Sequence, residues 1–97
     1  MKEIITYYKE KDGTKRGCIV GIIDNGRYAI GWSLYNKKLE KEAGKPFKKK
    51  LGRTIAENRA LKYIRNSKFG LNLNSIPSSL LPLAEQMAEK CRRIINS

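Results

Sequence analysis

Five cations fall within residues 48–59: Lys48, Lys49, Lys50, Arg53 and Arg59. Their chemistry is phosphate capture. Lysine offers a flexible point charge, and arginine a planar fork that meets phosphate oxygens two at a time. The groups that would act on a captured phosphate are scarce. The chain has no His, which excludes a His-based triad, a His general base and His-ligated zinc. Cys18 and Cys91 are the only cysteines, too few for a four-cysteine zinc site, and Asp12 and Asp24 are the only aspartates. Carboxylate clusters of the two-metal nuclease kind are poorly supplied. Composition points to binding without catalysis and calls for no cofactor.

The charge is concentrated. The chain has 97 residues and a formal net charge of +12, and residues 36–70 carry twelve basic and three acidic groups. Such a field attracts anions and speeds their capture. The Lys48–Lys50 run alone has a plain explanation as a solvated face. The total for so short a chain shifts the expectation to a phosphate-bearing partner, with nucleic acid and small nucleotides both open. Two cysteines far apart do not make a disulfide framework, so both are expected reduced and the compartment intracellular. Met1 to Thr6 carries Glu3 and no apolar signal segment, and no apolar run approaches the ~20 residues of a membrane span. The expectation is a soluble, cytoplasmic protein.

The elements that must hold these cations read as one α+β domain over residues 1–97. Residues 3–8, 16–24 and 27–35 are rich in β-branched and aromatic types and read as three strands of an antiparallel meander filling residues 1–35. Asn25-Gly26 between the last two signals a tight hairpin. A two-residue loop there sets Asp24 opposite Arg27, Ile23 opposite Tyr28 and Ile19 opposite Trp32. One face then carries Ile19, Ile23, Tyr28, Ile30, Trp32 and Leu34; the other carries Cys18, Val20, Ile22, Ala29, Gly31 and Ser33. Both are apolar or small, so both must be covered. The expectation is helices on one and a second subunit on the other, hence a homo-oligomer.

Residues 36–45 form a charged connection, and residues 46–95 hold two helices. The first reads as 46–66, with Pro46 in its first turn and Gly70 as its stop. In the second, Ser79 caps a run to about Ile95, and Leu80, Ala84, Met87, Cys91 and Ile94 form one apolar stripe. At about 100° per residue, Gly52, Ala56, Ala60 and Tyr63 share one side of the first helix. Such a small-residue row permits close packing. Arg59 and Arg53 border that packed surface. Each either lays its stem over apolar neighbours or is held ready for a phosphate. Three lysines at a helix start oppose the dipole, a conflict that a bound anion relieves. Walker A, GxGxxG and nucleophile-elbow patterns are absent.

The stretch Ile30-Gly31-Trp32-Ser33-Leu34, then Asn36, then Phe47-Lys48-Lys49-Lys50-Leu51-Gly52-Arg53, then Ile55-Ala56-Glu57-Asn58-Arg59-Ala60 resembles the first-described phage anti-Thoeris sponge family. About a third of the chain carries the likeness. Family members pass quickly from the strand to the Phe, whereas here Lys37 to Pro46 intervene. The resemblance implies a small antiparallel sheet with two helices, assembled as dimers or hexamers in the cytoplasm of an infected bacterium. It implies a counter-defence role: sequestering glycocyclic ADP-ribose, with cyclic trinucleotides in separate pockets of some members, and no degradation. Carried over by position, Phe47 would stack on a base and Arg53 and Arg59 would meet phosphates. Asn36, Lys49 and Asn58 complete the candidate ligand-binding set. The competing readings are a basic nucleic-acid-binding module, with Tyr7, Tyr8, Trp32 and Tyr35 near the lysines, and an inhibitor of an acidic protein surface.

Overall fold

Asn25 and Gly26 both adopt left-handed backbone, φ 51° and 76°. That is the type I′ geometry whose twist matches a two-residue hairpin. From this turn the register follows as the sequence requires: Asp24 pairs with Arg27, Ile23 with Tyr28 and Ile19 with Trp32. The structure, a computed structural model, describes residues 1–35, 48–72 and 74–97. It comprises β1 (Lys2–Lys9), β2 (Lys15–Asp24), β3 (Arg27–Leu34), α1 (Lys49–Arg65) and α2 (Leu81–Ile95). The strands form one antiparallel sheet in the order β1-β2-β3, so β1 and β3 are its edges. This is the expected α+β meander followed by two helices. The 36–45 connection lies outside the described residues.

The helices do not share a face. Ala56 and Ala60 of α1 pack on Cys18, Val20 and Ile22, with Leu61 and Ile64 alongside. On the opposite face, Leu80, Ala84, Met87 and Cys91 of α2 and its lead-in pack on Ile19 and Ile30, with Tyr28 and Trp32 alongside. The expectation that one face awaits a second subunit is therefore corrected: each helix covers its own face. The change of side is made by the segment after α1. Gly70 bridges to Ala29 in parallel, and its N–H donates to the Tyr28 carbonyl at 2.7 Å. The chain thus runs along the free edge of β3 and emerges on the other face.

Three boundaries also differ from the sequence reading. α1 opens at Lys49 after an extended Lys48 (φ −104°, ψ 115°), later than the expected start at 46; Pro46 and Phe47 themselves lie outside the described residues. Gly70 does not stop α1. The helix ends at Arg65 with Asn66 as its cap; Ser67 then turns left-handed (φ 57°), and the Ser67 and Lys68 N–H groups return to the Ile64 and Tyr63 carbonyls. Those two bonds satisfy terminal carbonyls in the manner of a Schellman turn. Ser79 does not cap α2; Leu80 holds that position in helical conformation and no side chain caps it. Of the expected stripe, Leu80, Ala84, Met87 and Cys91 are fully buried, and Ile94 at its end is half-buried.

α1 lies on the sheet almost without intervening side chains. A methyl built on Gly31 would overlap the Ala56 carbonyl oxygen and sit 2.6 Å from the Ala60 nitrogen. Both obstacles are backbone. A methyl on Gly21 would instead meet the Cys91 Sγ at 2.8 Å and Met87 side-chain atoms at 3.0 Å, which can move. Gly31→Ala is expected to cost about 3 kcal/mol or more, at or beyond the upper end of ordinary overpacking, and Gly21→Ala about 1–2 kcal/mol. Urea denaturation of the two variants checks the order.

Candidate functional site

Arg59 precedes Ala60, and Trp32 follows Gly31. The contact of α1 with β3 therefore brings these two side chains to the same edge of the sheet. Residues 28, 30, 32 and 34 of β3 point their backbone groups away from β2, because the flanking pairs 24/27 and 22/29 are the hydrogen-bonded ones beside a two-residue turn. Arg59 Nη1 donates to the outward Trp32 carbonyl at 2.8 Å, and its guanidinium carbon lies 4.1 Å from the Trp32 ring centroid. The fork is fixed by a hydrogen bond and a cation–π contact at once, and neither cancels its charge.

Beside this pair opens a cleft of about 400 Å³, lined by Ile30, Trp32, Arg59, Lys62, Tyr63, Asn72 and Ser75. Two cations, two aromatic rings, an amide and a hydroxyl converge there. Its size falls within the range of small-molecule sites. Arg59 and Lys62 come from α1, Trp32 from β3, and Asn72 and Ser75 from the segment that wraps the β3 edge. Sequence reasoning placed Arg59 in the site and missed Lys62, Tyr63, Asn72 and Ser75. Trp32 it placed on a sheet face and, in the nucleic-acid reading, among the rings near the lysines. The helical spacing 59, 62, 63 carried part of the signal; nothing in the sequence signalled that Gly70, Asn72 and Ser75 return past β3.

The other candidates lie elsewhere. Arg53 faces β1: its Nη2 lies 3.3 Å from Glu3 Oε1, and its Nε 3.9 Å from Glu57 Oε2. Burial and the neighbouring Glu57 carboxylate push the Glu3 carboxyl up, against the opposing pull of Arg53. Arg53 is thus already committed to two carboxylates. Lys49 also faces β1, with its Nζ 5.8 Å from the Tyr7 ring centroid and the Lys15 Nζ at 5.0 Å from the same ring. Contact with the Lys49 ammonium lowers the Lys15 pKa. Asn58 is exposed on the outer side of α1. Asn36 and Phe47 lie outside the described residues.

The nucleophile inventory is quiet. Cys18 and Cys91 are fully buried, and burial pushes the Cys18 thiol up to about 11 and raises Cys91 as well. Among the described residues no group of three or more His, Cys, Asp or Glu could hold a metal ion. Among the described residues no helix is long and apolar enough to cross a membrane. No family model matches the chain, and neither a curated protein nor a solved structure matches it.

Two outcomes follow from these environments. Arg53→Gln leaves Glu3 and Glu57 facing each other. Arg53 is half exposed, so the expected loss at neutral pH is under about 1 kcal/mol. It shrinks as acid protonates the carboxylates, whereas the deficit of Arg59→Gln stays constant over that range; urea unfolding at neutral and acidic pH separates them. Cys18 keeps its proton in the folded chain beyond the ordinary value of 9.0. Its contribution to stability is complete below pH 9.0 and is lost as pH rises toward about 11. A thiol-reactive dye at mildly alkaline pH should label neither cysteine until denaturant is added.

Proposed function

We propose that this protein binds and sequesters a small cyclic nucleotide of the glycocyclic ADP-ribose type without degrading it, as a phage counter-defence protein in the bacterial cytoplasm. The observation that carries the reading is the Arg59 fork, fixed on Trp32 and without an acidic partner among the described residues, at the mouth of the β3-edge cleft. Arg59 and Lys62 meet the phosphates, Tyr63 offers a ring face to a base, and Asn72 and Ser75 offer polar groups to a ribose. The resemblance at residues 30–60 supports the same assignment. Of the groups that could act on a ligand, the cleft offers the Ser75 hydroxyl, the Tyr63 phenol and the Lys62 amine, and its lining holds no thiol, imidazole or carboxylate to activate them. A homo-oligomer, dimer or hexamer, belongs to this reading. Leu51 and Ile55, 58% and 37% exposed on successive turns of α1, give a second copy an apolar strip near Arg59.

One observation favours a second reading, a nucleic-acid-binding module: Lys15 and Lys49 crowd over the Tyr7 ring on the β1 side. Salt separates the two. Binding to duplex DNA through many phosphates falls by orders of magnitude between about 50 and 200 mM salt, and an enclosed ligand with two phosphates loses far less.

Losing a charge-assisted contact from a desolvated pocket costs about 2–5 kcal/mol. In calorimetry with glycocyclic ADP-ribose at about 150 mM salt, where exposed charges are screened, Arg59→Ala is expected to abolish binding. Arg53→Ala is expected to weaken it only as far as it loosens packing. The Lys48/Lys49/Lys50→Gln triple variant keeps a measurable affinity, and heat denaturation of the complex returns intact ligand. If Arg59→Ala binds like the parent while the triple variant is dead, the cleft is not the site.

A further inference from the structure

The arginines sort by partner. Arg16, Arg53 and Arg93 lie against carboxylates, of Glu10, of Glu3 and Glu57, and of Glu89. Arg59 lies on Trp32. Two more are held by aromatic residues at the turn end of the sheet. The Arg27 guanidinium carbon stacks 4.7 Å from the Phe69 ring centroid, and Arg92 Nη1 donates to the Tyr28 hydroxyl at 3.0 Å. Among the described residues neither Arg27 nor Arg92 forms an ion pair. Both line one cleft of about 330 Å³, together with Tyr28, Phe69, Ile95 and Asn96. It lies beyond Gly70 from the Arg59 cleft, and none of its lining residues is shared with that cleft.

We infer that this cleft is a second anion site, independent of the Arg59 cleft, which takes the phosphate monoester of a small molecule with a flat apolar body. Two guanidinium groups supply the charge of a phosphate dianion, where a carboxylate would neutralise only one of them. Each fork can bind two oxygens. Phe69 and Ile95 form an apolar wall for the organic part, and the Asn96 amide lies at the rim. The C-terminal end of α2 contributes about half a negative unit charge nearby. That opposes the anion, but two full positive charges outweigh it. It also favours Arg92 in the last turn of the helix, which helps to hold that guanidinium in place. Asp24 is the acidic residue nearest in register. It lines a separate cleft on the far side of the Arg27–Phe69 stack and does not enter this one.

Phenyl phosphate is a suitable probe, because it joins a flat ring to a dianionic phosphate. In a backbone amide NMR titration of the full chain at about pH 7.5, above the second phosphate pKa of about 6, saturable shifts are expected at Gly26, Gly70 and Asn96. Arg92→Gln and Arg27→Gln are each expected to weaken the probe by about tenfold or more, the size of one lost charge-assisted contact. Arg59→Gln is expected to leave its affinity unchanged. Benzoate, with a single charge, should bind at least about tenfold more weakly. Inorganic phosphate should also bind more weakly, for want of the apolar wall. Arg27 is exposed and stacks on Phe69 at the surface, so Arg27→Gln remains informative if Arg92→Gln fails to fold. The site is overturned by no saturable shift at these amides, by parent-like binding of Arg27→Gln, or by equal affinity for benzoate. Loss of probe binding in Arg59→Gln alone would mean that the probe reports the other cleft and would equally overturn it.

Discussion

The structure turns on the approach of one helix backbone to one strand. Gly31 has no side chain, and Ala56 and Ala60 have almost none, so α1 settles onto β3 at backbone distance. Side chains that neighbour those positions are then forced to the rim of the contact. Arg59 and Trp32 are such neighbours, and their stack is a consequence of the close approach, not a separate feature. A larger residue at any of the three positions would lift α1 and move the guanidinium off the ring. Van der Waals contact is individually weak, but a backbone-on-backbone contact does not give way to a methyl group as flexible side chains do. The same rigidity positions the fork in advance of any ligand.

The second organising element is the free edge of β3. An unpaired edge is a liability that proteins cover. Here the cover is irregular: Gly70 pairs at Ala29, and Arg59 takes the Trp32 carbonyl. The segment that covers the edge also walls two clefts, one on each side of Gly70. Both clefts border arginines whose partners are aromatic rather than acidic. An arginine paired with a carboxylate has spent its charge; one held by a ring is oriented and still fully cationic. In a chain of net charge +12 this distinction separates binding groups from scaffold better than position along the sequence does.

Much of the sheet was legible in the sequence because its causes are local. Asn25-Gly26 fixes a turn, the turn fixes a register, and the register fixes which residues share a face. The apolar stripe of α2 was legible for the same reason, as was the buried, inert character of Cys91. That both faces are covered was legible too; that each helix takes its own face was not. It depends on the chain after α1 passing around the β3 edge at Gly70, and nothing in its composition states on which side it arrives. Arg53 and Arg59 looked equivalent on a helical wheel, each bordering packed surface. Their difference is the strand each one reaches: Glu3 stands on β1 where Arg53 arrives, and Trp32 on β3 where Arg59 arrives.

Trp32 is the only tryptophan in the chain, so the central claim has a direct optical reporter. Its ring lies under the Arg59 guanidinium at the cleft proposed to hold a cyclic nucleotide. Tryptophan emission, followed while glycocyclic ADP-ribose is added at about 150 mM salt, is expected to change saturably with one equivalent of ligand per cleft, and to stay flat in Arg59→Ala. Emission that does not respond to the ligand, yet responds to duplex DNA and recovers as salt is raised, would contradict the account.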